Sequence, residues 1–307
     1  MTPAGEARES GEARQASEAG EVHRAGETGE SRTAREAGKA GHAGQTAAQE
    51  APDGQVRLDI ARSNIALLTL DRPAKLNALT SGMTTALARH VDDINANDSI
   101  RAVVLTGTGR AFCAGSDIAE LDRYATPWKF GGRQDYGDIL RTLRKPVIAA
   151  VNGHALGGGL ELALACDIRI AAGTASFAAP EIKLGWIGGS GQSALLAHCV
   201  GPSNAALMLL TGDPVDAATA LRWGLVSEVA DPDALLPRAL ELAAVIASRA
   251  PIAAETAKLN LRAAYEMPLT RAIDYERHLQ TICFATADAA EGRAAFTERR
   301  SPAFRGL

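Results

Sequence analysis

The residues best suited to chemistry cluster in His154-Ala155-Leu156-Gly157-Gly158-Gly159-Leu160-Glu161. Three successive glycines lower the stability of any ordered backbone, so they point to unusual dihedrals or to something approaching the main chain closely. They precede a run that reads as a helix. The first N–H groups of a helix have no partner within it and can face a developing negative charge. A plain helix entry has the same local composition. Glu161 is the only ionisable side chain among Leu160, Leu162, Ala163, Leu164 and Ala165. If buried, its carboxyl is pushed up toward the range useful for proton transfer, and if it lies on a helix rim it is solvated and ordinary. A second carboxylate, Glu181, follows Pro180 at a strand-to-loop transition. The two are too far apart for one helix but can face each other across a cleft, where paired carboxyls serve as acid and base on a bound water. A surface loop glutamate is the plainer reading of Glu181. The loop Arg110-Ala111-Phe112-Cys113-Ala114-Gly115-Ser116-Asp117 offers amides at Gly115-Ser116 that, with Gly158, would complete an oxyanion pocket.

Other chemistries find less support. Cys113 and Ser116 lack a G-x-S-x-G context, and His154 as a triad partner competes with a structural histidine. The glycine run does not match G-x-G-x-x-G. The six histidines form no H-E-x-x-H pattern, and the four cysteines lie 33 or more residues apart, as buried reduced thiols do.

The elements that must position these groups follow from patterning. Residues 56–60 and 65–70 read as strands joined by a tight turn at Arg62-Ser63-Asn64. Met83, Leu87, Val91 and Ile94 mark one helical face over 80–95, with Thr80 or Ser81 as cap. Residues 101–106 and 146–151 carry apolar runs without alternation, typical of strands covered on both faces, and 167–172 reads as a further strand. Residues 107–117 read as a loop, and 136–144 as a helix. From Gly191 onward helices are expected over 192–200, 204–210, 217–223, 233–248, 252–265, 269–284 and 288–299, with one strand over 225–229. Interleaved strands and helices followed by helices predict a layered α/β core closed by a helical region.

Of the 307 residues, 46% are hydrophobic, and the formal charge of −4 comes entirely from residues 1–54; residues 55–307 hold 26 acidic and 26 basic side chains. This balance excludes a basic footprint for nucleic acid. Residues 1–54 contain no aromatic residue and draw 22 residues from Ala and Gly, a composition that predicts disorder. The longest uncharged stretch, 184–212, is broken by Gly, Ser, Gln, Asn and Pro and does not read as a membrane span. Glu6 and Glu9 stand where a secretory leader needs basic residues, so the cytoplasm is the expected location.

Phe112-Cys113-Ala114-Gly115-Ser116-Asp117-Ile118, with residues 145–162 and Cys166-Asp167-Ile168-Arg169, closely resembles the enoyl-CoA hydratase/isomerase, or crotonase, superfamily. Asp71-Arg72-Pro73-Ala74-Lys75-Leu76-Asn77-Ala78-Leu79, Pro180-Glu181-Ile182-Lys183-Leu184-Gly185 and the C-terminal motifs extend the resemblance over residues 55–307. It implies a superhelix of ββα repeats over 55–200, and over 201–307 the rest of the core with a helical oligomerisation region forming trimers or hexamers. It implies an acyl-CoA thioester whose carbonyl sits between the amides of Ser116 and Gly158. Contacts with the CoA portion then fall to Arg72, Lys75, Leu76, Ala114, Ser116, Asp117, Ile118 and Gly157. No cofactor is implied beyond the CoA carried by the substrate.

Glutamates at both 161 and 181 resemble the members that hydrate 2-enoyl-CoA, with Glu161 acting on water and Glu181 protonating C2, or the reverse. A double-bond isomerase or another crotonase reaction is the alternative, and a non-catalytic acyl-CoA binder a further one. The chain departs from the hydratase pattern in Gly188-Gly189-Ser190-Gly191-Gln192, where Gln192 narrows the pocket or reaches the acyl tail. Trp186 either caps the acyl site or belongs to the core. Ala119 replaces a lysine common near the CoA phosphates, leaving that role to Arg72, Lys75 or basic residues of the C-terminal helices.

Overall fold

The structure is a computed structural model that describes residues 53–62, 64–124 and 126–307. The disorder expected over 1–54 falls, but for its last two residues, outside the described residues. So does Ser63 of the expected turn.

Strand β1 (Gln55–Arg62) pairs antiparallel with β2 (Ile65–Asp71), and helix α1 (Ser81–Ala96) carries the chain to β3 (Ala102–Gly107), parallel to β2. Thr80 caps α1 by accepting from the Met83 amide, and Met83, Leu87, Val91 and Ile94 are buried as the spacing predicts. The next strand, β4 (Ala111–Cys113), lies within the span expected as a loop. Three residues are too few for a periodic signal. Helices α2 (Ile118–Leu121), α3 (Pro127–Gly131) and α4 (Tyr136–Arg141) lead to β5 (Val147–Val151) and β6 (His154–Leu156). Helix α5 (Gly158–Ala165) then precedes β7 (Ile168–Ala172) and β8 (Ser176–Ala178).

The paired strands build two sheets. β3, β5 and β7 enter a six-stranded sheet of order β1-β2-β3-β5-β7 followed by a last strand at Glu228–Ala230, whereas β4, β6 and β8 enter a four-stranded sheet of order β4-β6-β8 followed by a last strand at Val215–Asp216. Each turn of the chain therefore adds one strand to each sheet. Beyond a 3-10 turn (Pro180–Leu184) come α6 (Gln192–Val200), α7 (Pro202–Thr211), β9 (Val215–Asp216), α8 (Ala217–Trp223), β10 (Glu228–Ala230) and α9 (Pro232–Ala247). β10 starts later than expected because Leu225 and Val226 donate back to the Ala220 carbonyl at the end of α8. Helices α10 (Pro251–Glu266), α11 (Leu269–Phe284) and α12 (Ala287–Glu298) complete the C-terminal region.

Strands β3 and β5 at the centre of the long sheet are buried on both faces, which explains their unalternated sequences. Val103, Leu105, Val147, Ala149 and Val151 face the main core with Phe112, Leu140, Leu160 and Phe177. Val104, Ile148, Ala150 and Ile170 face the opposite way, onto Leu235, Ala239, Ala243 and Ala247 of α9.

Asn77 ties the early loop to this frame. It is fully buried at φ 58°, a left-handed conformation that asparagine tolerates better than most residues. Its amide nitrogen donates to the carbonyls of Ala111 (2.8 Å) and Thr108 (2.9 Å), and its oxygen accepts from the Arg72 amide (2.9 Å). Asn77→Ala leaves those buried groups unpaired. It is expected to lower stability by about 3 kcal/mol, measured by urea denaturation.

Candidate active site

The glycine run forms the start of α5, and its neighbours explain each glycine. Gly157 has φ 55°, and a Cβ there would stand 2.6 Å from Glu181 Oε1. A Cβ on Gly158 would collide with the Tyr136 hydroxyl, and one on Gly159 with the Cys113 carbonyl of β4. Gly115, at φ 97°, brings the 114–117 loop so close that a Cβ would lie 3.0 Å from the Gly158 nitrogen. This loop is held from outside: Leu79 donates to the Gly115 carbonyl (2.8 Å), and Asp117 donates to that of Leu79 (2.9 Å). The amides of Ser116 and Gly158 meet no acceptor among the described residues.

Both residues line a cavity of about 440 Å³ that also exposes Glu161 and Glu181. The two carboxylates, 20 positions apart in sequence, thus share one space. Glu161 is buried, so its alternative as a rim residue is discarded. Its Oε1 accepts from the Ser190 amide (2.8 Å) and its Oε2 from the Tyr136 hydroxyl (3.3 Å). Burial pushes its carboxyl up from the ordinary range, and the charges of Asp135 and Glu181 add to that; the two hydrogen bonds oppose it. Glu181 lies on the 3-10 turn that Pro180 opens, not in a surface loop. Burial raises its carboxyl too, opposed by the hydrogen bond from its own backbone amide and by that from Gln192.

Gln192 corrects its expected role. It does not line the cavity; it lies buried and donates through Nε2 at 3.2 Å to each oxygen of Glu181. Trp186 does line the cavity and is 40% exposed, so it is no core residue.

The other expected site residues divide. Ala114, Ile118 and Gly157 line the cavity. Asp117 instead lines a smaller neighbouring cavity of about 140 Å³. Arg72, Lys75 and Leu76 line neither. The Arg72 guanidinium is committed to Asp117 (2.7 Å) and the Ala78 carbonyl (3.2 Å), and this pairing holds the Asp117 carboxyl below its usual range. Leu76 accepts from the Ala114 amide (3.0 Å), so this segment supports the cavity-lining loop from behind. Lys75 is exposed. Cys113 is wholly buried, and burial pushes its thiol up to about 12, which removes it as a nucleophile. His154 Nδ1 pairs with Ser176 Oγ (2.8 Å) outside the cavity.

Sequence reasoning missed Tyr136 and the Ser190 amide. Tyr136 precedes Ile139 and Leu140 at helical spacing and reads as core; a backbone donor leaves no trace in residue type.

Because both carboxyls titrate higher in the fold than in an unfolded chain, the folded state binds more protons, and stability falls as pH rises through their folded values. Glu161→Gln and Glu181→Gln are therefore expected to melt above the parent protein at pH 8, with the difference vanishing below the ordinary glutamate range. Calorimetry across pH 4–8 reads this.

Comparison with known proteins places this geometry. The family model for enoyl-CoA hydratase/isomerase matches residues 61–306. A probable enoyl-CoA hydratase of Mycobacterium tuberculosis is 42% identical over 242 residues, covering 78% of this chain and 94% of its own. The 2,3-dehydroadipyl-CoA hydratase of Escherichia coli is 41% identical over 248 residues, covering 80% and 96%. The crystal structure of an enoyl-CoA hydratase from Bacillus anthracis superposes with a TM-score of 0.77 at 34% identity, covering 82% of this chain and 99% of that one. With two buried glutamates and two unpartnered amides around one cavity, the chain belongs to the enoyl-CoA hydratase/isomerase family.

Proposed function

We propose that this protein is an enoyl-CoA hydratase, adding water across the 2,3 double bond of a 2-enoyl-CoA thioester to give the 3-hydroxyacyl-CoA. The observation that carries this reading is the joint exposure of Glu161, Glu181, Ser116 and Gly158 on one cavity wall. The thioester oxygen accepts from the amides of Ser116 and Gly158. Each such donor is worth roughly 3 kcal/mol where charge appears only in the transition state.

Glu161, as carboxylate, takes a proton from water while the water oxygen bonds to C3. The π electrons move toward C2 and the thioester, giving an enolate held by the two amides. Glu181, as carboxylic acid, then delivers its proton to C2 as the enolate collapses. The two carboxyls differ in their partners: Glu161 accepts from the Ser190 amide and the Tyr136 phenol, whereas Glu181 accepts from the Gln192 carboxamide and from its own backbone amide. Exposed Lys75, on the segment that braces the 114–117 loop, serves the CoA phosphates in this reading; Arg72 and Asp117 hold that loop.

The same reading makes the protein a trimer, or a pair of trimers, working in the cytoplasm. Support for self-association comes from α11, which has no buried residue yet carries exposed Leu269, Ile273, Ile282 and Phe284. Support for a reducing compartment comes from four cysteines that are all free. Among the described residues, no helix is long and apolar enough to cross a membrane. Sedimentation equilibrium is expected to give three or six times the chain mass; a monomer overturns the assembly.

Loss of the conjugated thioester absorbance, followed for short and longer 2-enoyl-CoAs, tests the reaction. Glu161→Gln and Glu181→Gln are each expected to cut kcat at least about tenfold with the fold retained. Turnover of a 3-enoyl-CoA without hydration of any 2-enoyl-CoA would replace the reading with isomerisation, and thioester binding without any turnover would leave a binding protein.

A further inference from the structure

The Tyr136 hydroxyl occupies the corner where the oxyanion loop, the glycine run and Glu161 converge. It lies 3.3 Å from Glu161 Oε2 and 3.3 Å from Ser116 Oγ, and it fills the space that a side chain at Gly158 would need. A phenol both donates and accepts. With its proton toward the carboxylate, its lone pairs receive the Ser116 hydroxyl, giving a chain from Ser116 through Tyr136 to Glu161. The ring is buried and forms part of the cavity wall.

We propose that Tyr136 is a positioning residue for the hydration step, fixing Glu161 Oε2 from the side of the oxyanion loop while the Ser190 amide fixes Oε1. With both oxygens held, the carboxylate has one defined orientation toward the cavity. This assignment rests on the reading of Glu161 as the group that accepts the water proton.

The surrounding charges show why a donor is needed at this position. Around Glu161 stand Glu181 on the 3-10 turn and Asp135 ahead of α4, with Arg133 and Asp138 also facing the cavity, Asp138 being ion-paired to Arg141 on α4. Arg133 lies 3.5 Å from Asp135 and 3.9 Å from the Phe130 ring centroid, so its charge is shared. Acidic neighbours thus predominate and favour protonated Glu161. The phenol opposes them without ionising, because burial and the charge of Glu161 raise its own titration well above the usual tyrosine range, with Cys113 and Asp135 contributing in the same direction.

Tyr136→Phe keeps the ring and removes only the hydroxyl. Infrared titration of the unliganded protein follows the protonated-carboxyl band of Glu161, assigned by its loss in Glu161→Gln. In Tyr136→Phe the midpoint of that band is expected at higher pH, because the carboxylate loses a donor. Steady-state hydration is expected to lose about tenfold in kcat with KM within about twofold. Replacing Tyr136 by 3-fluorotyrosine, a more acidic and stronger donor, is expected to move the midpoint the opposite way, and it covers the case in which the Phe variant folds poorly. An unchanged midpoint in the folded variants, or a loss confined to KM, overturns the proposal. Should the parent protein hydrate no enoyl-CoA, the hydratase reading fails by itself, while the infrared midpoint still decides whether Tyr136 holds Glu161.

Discussion

The whole site depends on main chain and side chains approaching each other more closely than a Cβ would allow. Gly157, Gly158 and Gly159 meet Glu181, Tyr136 and the β4 backbone in turn, and Gly115 brings its loop against the Gly158 amide. Any larger residue would push these four partners outward. The close approach leaves two amides without an acceptor among the described residues and places two carboxylates on the same cavity. Such groups lose solvation when water is excluded, and that loss is what makes them responsive to charge appearing in a substrate.

The scaffold supplies the rigidity that this arrangement requires. Each repeat of the chain sends one strand into the long sheet and one into the short sheet, so β4 and β6 lie parallel and adjacent. The loops leaving them, at 114–117 and 157–158, are thereby neighbours although separated by some 40 positions. Asn77 and the Arg72–Asp117 pair hold the first loop from behind. The carboxylates are held more individually, Glu161 by Ser190 and Tyr136, Glu181 by Gln192. Chemically identical groups thus stand in different hydrogen-bonding surroundings.

Burial of both glutamates opposes folding at neutral pH, and the fold accepts this because the surrounding core is extensive. The central strands of the long sheet are covered on both faces, by the main core and by α9. Function is thus placed where stability is lost, a common compromise at sites that must hold charge away from water.

Much of this was legible in the residues. The apolar runs of β3 and β5, the period of α1 with its Thr80 cap, and the late helices all follow from patterning, because local periodicity records which faces are buried. The glycine run, Glu161 and the motifs around Ser116 and Glu181 pointed to residues that the structure brings to one cavity. The three-residue strands β4 and β6 escaped notice for want of a full period. What only the tertiary structure decided is which groups meet. Gln192 could not be assigned to Glu181, nor Tyr136 and the Ser190 amide to Glu161, because a hydrogen bond depends on distance and direction in space, and the identities of residues far apart in the chain encode neither.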